Sequence, residues 1–315
     1  MKMNNQYILS ICVITYNRAD VLKHCLDAIV YHDLAKTGTI EVVVCDNAST
    51  DGTEVLMQMY KEFEFVRYYR NDENMGVERN YIKSMDLANG LFLKPTNDYT
   101  VYTKEGLEKM YNTIKDNVQS QPLILFDNIP TCNLWEDDLN LDINAVIDQV
   151  GWSMSWMGIN GFWRDEWHKI ENKEPVVFLC IDHFFKILIE KKTANIYTGH
   201  FSDRYPFKQK QGGYNFFKVH TEDFLYFYKK YYKAGYITKE TYDKLNKRLC
   251  SSLLYFLRKF LVKEKDKFVY ELDDWFDYFV KAFWRYPWFY WKMAIWFLTI
   301  IKHYMLKPFK QVAKK

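Results

Sequence analysis

The chain of 315 residues is 49% hydrophobic, 26% charged and 18% aromatic, ample apolar surface for a core, which excludes a disordered or low-complexity protein. With 12 Gly and 7 Pro it is neither collagen-like nor dominated by linkers. The net charge of +3 does not argue for nucleic-acid binding, but it is unevenly placed: Tyr278 to Lys315 holds eight Lys or Arg and no Asp or Glu, so the body of the chain is mildly acidic.

In chain order, the first half alternates strand and helix signals. Ile8 to Ile14 is a short run rich in Ile and Val, the pattern of a buried strand. Leu22, Leu26 and Ile29 recur at helical spacing over 19–31. Ile40 to Cys45 predicts a second strand. Ser49 to Gly52 is a turn and helix-start cluster, followed by a helix through Val55, Met59 and Phe63. Phe65 to Tyr69 predicts a third strand, and a helix follows Gly76 with Val77, Tyr81, Met85 and Leu87 apolar. Leu91 to Leu93 predicts a fourth strand, 103–116 a helix, and Leu123 to Phe126 a fifth strand. Strands alternating with helices of this length imply βαβ units and a mainly parallel sheet covered on both faces.

Residues 127–220 are less regular, with the stretch GWSMSWMGINGFW, a helix around Asp182 to Glu190 and a loop holding Gly212 and Gly213. Beyond Thr221 the pattern is helical. Tyr242, Leu245, Leu249, Leu253, Phe256 and Phe260 form one apolar stripe, and 271–286 and 288–305 read as further helices broken at Pro287. The expected division is an α/β domain over 1–220 and a helical region over 221–315.

Cys12, Cys25, Cys45, Cys132, Cys180 and Cys250 are scattered without a CxxC pair, which suits buried thiols in a reducing compartment. The N-terminal apolar stretch lacks a small-residue cleavage site and reads as a first core strand, so the protein is expected in the cytoplasm.

There is no GxxxxGK phosphate loop, GxGxxG, HExxH or GxSxG, and the seven His show no ligand spacing. In parallel sheets ligands bind outside the carboxyl ends of the strands, so the polar residues there are the candidates. Thr15, Tyr16, Asn17 and Arg18 follow the first strand, where a plain strand-to-helix turn is the alternative. Asp46 follows the second. A carboxylate there can accept a hydrogen bond from a base or a ribose, although DNASTDGT is equally good turn chemistry. Asn74, Gly76 and Arg79 open a helix, where free N–H groups, the helix dipole and a cation favour a phosphate; a solvated first turn is the alternative.

Taken together, ICVITYNRADVL, IEVVVCDNASTDGT, NDENMGVERNYIKSMDLANG and LFLKPTND resemble, in order and spacing over residues 7–100, the family 2 glycosyltransferases of GT-A fold. The third segment is most similar to the abequosyltransferase-type enzymes of bacterial surface polysaccharides. The resemblance implies a GT-A-like α/β domain and inverting transfer of a sugar from a nucleotide-sugar, UDP-linked by family habit, to a hydroxyl of a glycan or lipid-linked acceptor. It implies that Thr15, Tyr16, Asn17 and Arg18 frame the nucleotide and that Asp46 reads the base. Asn74, Gly76 and Arg79 would lie along the ribose and diphosphate.

The family's Asp-rich motif after the fourth strand is reduced here to Asn97-Asp98. Asp98 is then the one carboxylate for a divalent metal, Mg²⁺ or Mn²⁺, with Asn97 a neutral oxygen donor. The leaving diphosphate gains negative charge, so a metal or fixed cations must stabilise it; Arg79, Lys94 or the basic loop Arg204 to Lys210 are the substitutes. A general base must take the acceptor proton. Asp182 is the first candidate, with helix capping as its structural alternative and Asp165, Glu166, Glu222 and Asp223 as rivals. Trp156 and Trp163 are acceptor platform or plain core.

The tail carries Trp284, Trp288, Trp291 and Trp296 with Lys292, Lys302, Lys307, Lys310, Lys314 and Lys315. Its uncharged core, Met293 to Ile301, is too short to span a bilayer. Residues 284–315 are expected to lie on an anionic membrane surface, making the protein peripheral on the inner face of the plasma membrane. A helix packed on its own domain or a homodimer interface is the alternative. The rival functions are a non-catalytic nucleotide-binding or assembly subunit and a nucleotidyltransferase, the latter disfavoured because Thr15 to Asp20 holds no Gly. The glycosyltransferase expectation requires Asp46, Arg79 and Asp98 to share one pocket.

Overall fold

A computed structural model describes residues 7–128, 137–171, 173–207, 214–263 and 271–312. The chain forms two compact units, Met1–Phe207 and Lys208–Lys315.

In the first unit, chain order runs β1 (Leu9–Thr15), α1 (Ala19–Val30), β2 (Ile40–Asp46), α2 (Thr53–Gln58), β3 (Val66–Arg70) and α3 (Val77–Asp86). Then follow β4 (Phe92–Asn97), β5 (Thr100–Tyr102), α4 (Lys104–Asp116), β6 (Leu123–Asp127), β7 (Asp138–Leu141) and α5 (Ile143–Val150). The unit closes with β8 (Phe162–Trp163), α6 (Arg164–Lys169), α7 (Leu179–Lys191), β9 (Ala194–Thr198) and β10 (Ser202–Arg204).

The main sheet has the order β3-β2-β1-β4-β8. Its first four strands are parallel and β8 pairs antiparallel on β4. Every residue of β1 and β2 is buried, because helices cover both faces of the sheet. Leu9, Ile11 and Val13 of β1 and Ile40, Val42 and Val44 of β2 share one core cluster with Leu22, Leu26 and Ile29 of α1 and with Leu107, Met110 and Ile114 of α4. The opposite face packs against α3, which buries Tyr81 and Met85. Each such aliphatic side chain contributes about 1.5–3 kcal/mol by leaving water. This is the α/β, mainly parallel sheet expected from the alternation of elements.

Two elements differ from expectation. The stripe through Val55 and Met59 faces solvent; α2 ends at Gln58 and buries Thr53, Leu56 and Met57 instead. The fifth strand, β6, leaves the main sheet. It lies in a separate sheet of order β6-β9-β7, because β8 already occupies the β4 edge. Gly161 permits that pairing, since a Cβ there would meet the Phe92 ring at 2.3 Å.

In the second unit, α8 (Phe216–Lys218) runs through a π-helical turn, Val219–Phe224, into α9 (Leu225–Lys233). α10 (Lys239–Arg258), α11 (Trp275–Phe283) and α12 (Pro287–Val312) follow. The Thr238 hydroxyl caps α10, and Leu245, Leu249 and Leu253 of the predicted stripe are buried. Pro287 stands at the first position of α12, where its missing N–H costs nothing. α12 buries Phe289, Met293 and Trp296, and the Trp296 indole N–H donates to the Leu254 carbonyl at 2.9 Å. Among the described residues no helix is long and apolar enough to cross a membrane.

Candidate active site

The carboxyl ends of β1, β2 and β4 form the site. Asp98, just beyond β4, is 1% exposed. Its Oδ2 accepts a hydrogen bond from Thr15 Oγ1 at 2.9 Å and its Oδ1 accepts from Arg18 Nη1 at 2.9 Å. Burial raises the Asp98 carboxyl above the ordinary range, while Arg18 and Thr15 pull it back down. Arg18 is 38% exposed, and its guanidinium carbon sits 4.7 Å from the centre of the Phe207 ring. The Arg204 guanidinium lies 4.8 Å from the Tyr99 ring and 5.4 Å from that of Phe207. Tyr99 and Phe207 are themselves stacked at 5.2 Å. Antiparallel pairing of β10 with β5 sets Arg204 opposite Thr100, which brings its guanidinium over Tyr99, the residue after Asp98. Tyr99 and Phe207 have no local sequence signal; only the β5–β10 pairing makes them neighbours.

Asp46 closes β2 and is fully buried. Its Oδ1 accepts from the Ser49 N–H at 2.9 Å and its Oδ2 from the Tyr68 hydroxyl at 2.7 Å, with Arg70 Nε 3.8 Å away. Burial, then this hydrogen bond, raises the Tyr68 phenol above its usual range. Asn17, at φ 52°, accepts from the Thr50 N–H at 2.7 Å, and its own N–H donates to Ser49 Oγ at 2.8 Å. The Asn47 N–H donates to the Thr15 carbonyl at 3.0 Å. These bonds lock the loops after β1 and β2 to one another, so the DNASTDGT segment performs turn chemistry and also places Asp46 near Asp98. Tyr16 is exposed, and Asn97, the last residue of β4, is half-buried.

Asn74 and Gly76 are tied to the same rim. Asn47 Nδ2 donates to Asn74 Oδ1 at 2.8 Å and to the Gly76 carbonyl at 3.2 Å. Gly76 has φ 87°, left-handed backbone that favours glycine just before α3. Arg79 forms no ion pair with Asp46 or Asp98 among the described residues. It is exposed on α3 and lines a groove of about 460 Å³ with Met75, Lys83, Asp86 and Lys173.

Lys94 departs from its expected part as a diphosphate cation. It is buried in β4, donating to the carbonyls of Gly158 and of Asn160, the latter at 2.9 Å, and burial pulls its ammonium down to about 7. Of the basic loop, Arg204 stands at the site and 208–210 lie outside the described residues, as do Gly212, Gly213 and Cys132.

Asp182 is buried in the first turn of α7, with Lys186 Nζ 3.0 Å from its Oδ2. The cap position belongs to Phe178, so Asp182 is not the helix cap. Among the rivals, Glu166 is held by Lys191, Asp165 is exposed on α6, and Glu222 and Asp223 lie in the π-helical turn of the second unit. Trp163 is core: its indole N–H donates to the Pro122 carbonyl at 2.7 Å. Trp156 is exposed.

The donor set at Asn97-Asp98 does not fit a divalent metal. Both Asp98 oxygens are engaged, one by a guanidinium, and an amide replaces the second carboxylate. Among the described residues no group of three His, Cys, Asp or Glu could hold a metal ion.

A model of the glycosyl transferase family 2 matches residues 10–149, which span β1 to most of α5. Abequosyltransferase RfbV of Salmonella typhimurium is 39% identical over 85 residues, 26% of this chain. The match spans a quarter, 25%, of that relative. Two solved structures share the fold. S. aureus TarS 1-349 in complex with UDP-GlcNAc has a TM-score of 0.50 at 16% identity, over 88% of this chain and 82% of that one. Mannosyltransferase PcManGT from Pyrobaculum calidifontis, in complex with GDP-Man and Mn²⁺, has a TM-score of 0.53 at 15% identity, over 96% and 88%. The segment that matches glycosyl transferase family 2 holds β1, β2 and β4 and the rim residues Thr15, Arg18, Asp46 and Asp98, so it is over the sheet and its rim that the chain is similar to that family, on a GT-A architecture.

Proposed function

We propose that the chain is an inverting glycosyltransferase that moves a sugar from a nucleotide-sugar, UDP-linked, to a hydroxyl of a glycan or lipid-linked acceptor during bacterial surface polysaccharide synthesis. The observation that carries this reading is the joined rim of β1, β2 and β4 within the family match, where Thr15 and Arg18 close on Asp98 beside Asp46. The names of the relatives support the donor class and the product class. In this reading the rim from Thr15 to Arg18 frames the nucleotide and Asp46 faces the base.

The reaction needs three things from the protein. The anomeric C–O bond breaks and its electron pair leaves on the diphosphate, which needs positive charge nearby. The acceptor oxygen forms the new bond from the opposite face. Its proton passes to a carboxylate, for which Asp182 is proposed.

Purified full chain given labelled nucleotide sugars and lipid-linked acceptors should release nucleoside diphosphate and label the acceptor. Asp182→Asn should lower turnover by about 100-fold or more. Absence of turnover and of donor hydrolysis with every donor would defeat the proposal. A second reading, a non-catalytic nucleotide-binding or assembly subunit, is favoured by the reduced Asn97-Asp98 motif. It expects normal glycan production from Asp182→Asn and Asp98→Ala alike.

Acceptor delivery fits a membrane-surface role for residues 284–315. On the side of α12 opposite Phe289, Met293 and Trp296, Trp291 is 74% and Leu298 65% exposed, with Ile295 and Ile301 alongside. Lys281, Arg285, Lys292 and Lys302 lie on the same stretch, without an acidic residue from Tyr278 onward. Apolar side chains in the interface and lysines toward anionic headgroups suit such a helix.

A further inference from the structure

We propose that Arg18 and Arg204, held over the Tyr99–Phe207 ring pair, neutralise the diphosphate of the donor in place of a divalent cation. The inference rests on the nucleotide-sugar reading above and adds the source of positive charge. Three observations meet here. The carboxylate that would take a metal is spent on Thr15 and Arg18. Its neighbour in sequence is an amide, Asn97, a poor ligand for a hard dication beside a guanidinium. Two guanidinium groups converge on one ring, at 4.7 and 5.4 Å from the centre of Phe207.

Arg18 donates one of its five N–H bonds to Asp98 and keeps a partly open face. Arg204 is exposed and forms no ion pair among the described residues. A guanidinium stacked on an aromatic ring has its plane fixed and its N–H edge free, the geometry that grips phosphate oxygens in pairs. As the anomeric C–O bond breaks, the bond pair becomes a further negative charge on the departing diphosphate oxygen. Two fixed arginines can absorb that charge without a metal. Asp98 positions Arg18 and does not itself touch the diphosphate.

The test is calorimetric titration of UDP, GDP and uridine into the full chain, once with EDTA and once with MnCl₂. UDP or GDP should bind with affinities that agree within about twofold in the two media. Arg204→Ala should weaken the nucleoside diphosphate about tenfold and leave uridine unchanged, while Arg204→Lys recovers part of the loss. Binding seen only with Mn²⁺, an unchanged Arg204→Ala, or an equal loss for uridine and UDP would overturn the inference and leave the transferase reading standing. No binding of either diphosphate in either medium would overturn both.

Discussion

Lys94 shows how a residue type can mislead when its surroundings are unknown. A lysine on the fourth strand, near the expected diphosphate, suggests a cation for the leaving group. Its ammonium instead turns into the protein, toward the carbonyls of Gly158 and Asn160. Burial moves it from the ordinary 10.5 to about 7, so between those values the unfolded chain holds more protons than the folded one. The penalty is complete below about pH 7 and is relieved as pH rises toward 10.5. Denaturant unfolding of wild type and Lys94→Met across pH 7 to 10 should therefore show the wild type gaining relative stability, by at most about 1.4 kcal/mol per pH unit. Glu41 is the opposite case, a buried charge that is fully partnered. It accepts from Ser10 Oγ at 2.5 Å and the Gly90 N–H at 3.1 Å, and it faces Arg67 Nη1 at 3.1 Å. Arg67→Ala leaves that carboxylate without its cation and should cost about 3 kcal/mol, read from the urea midpoint.

At the scale of elements, a buried asparagine network joins β2, β3 and α3. Asn71 Nδ2 donates to Asn47 Oδ1 at 3.1 Å and to Asn80 Oδ1 at 2.9 Å, Asn80 Nδ2 donates to the Cys45 carbonyl at 2.9 Å, and the Met75 N–H donates to Asn47 Oδ1 at 2.9 Å. Asn47→Ala strands donors and acceptors out of water and should cost about 1–3 kcal/mol. Hydrogen exchange should accelerate at the amides of 71–76 and not in β1; uniform acceleration would argue against a local role for the network. The rim of the candidate site was partly legible in the sequence. Thr15, Arg18, Asp46 and Asp98 follow apolar runs whose alternation with helices already implied a parallel sheet, and such sheets put strand ends together. Arg79 was less legible: its position at a helix start says where the backbone is, not which way an exposed side chain on α3 points.

For the whole molecule, the charge map matters more than the net charge. The basic stretch from Tyr278 onward includes α12, whose exposed apolar side points away from Leu254 and its neighbours on α10. Full chain should sediment with vesicles containing phosphatidylglycerol, less with pure phosphatidylcholine, and less again at high salt. Trp291→Glu combined with Leu298→Glu should reduce the bound fraction about tenfold with an unchanged circular dichroism spectrum. Equal sedimentation of this variant, or indifference to lipid charge, would count against a membrane contact.

The sequence by itself determined the alternating elements, the parallel sheet and the strand ends that carry polar side chains, because periodicity and turn chemistry are local properties of the chain. Tertiary structure alone decided that β6 leaves the main sheet, that Lys94 is buried, and that Phe207 comes to lie against both Arg18 and Arg204. Those outcomes depend on which edge β8 occupies and on β10 pairing with β5, contacts between residues far apart along the chain. No local pattern encodes them, since they follow from the packing of the whole unit.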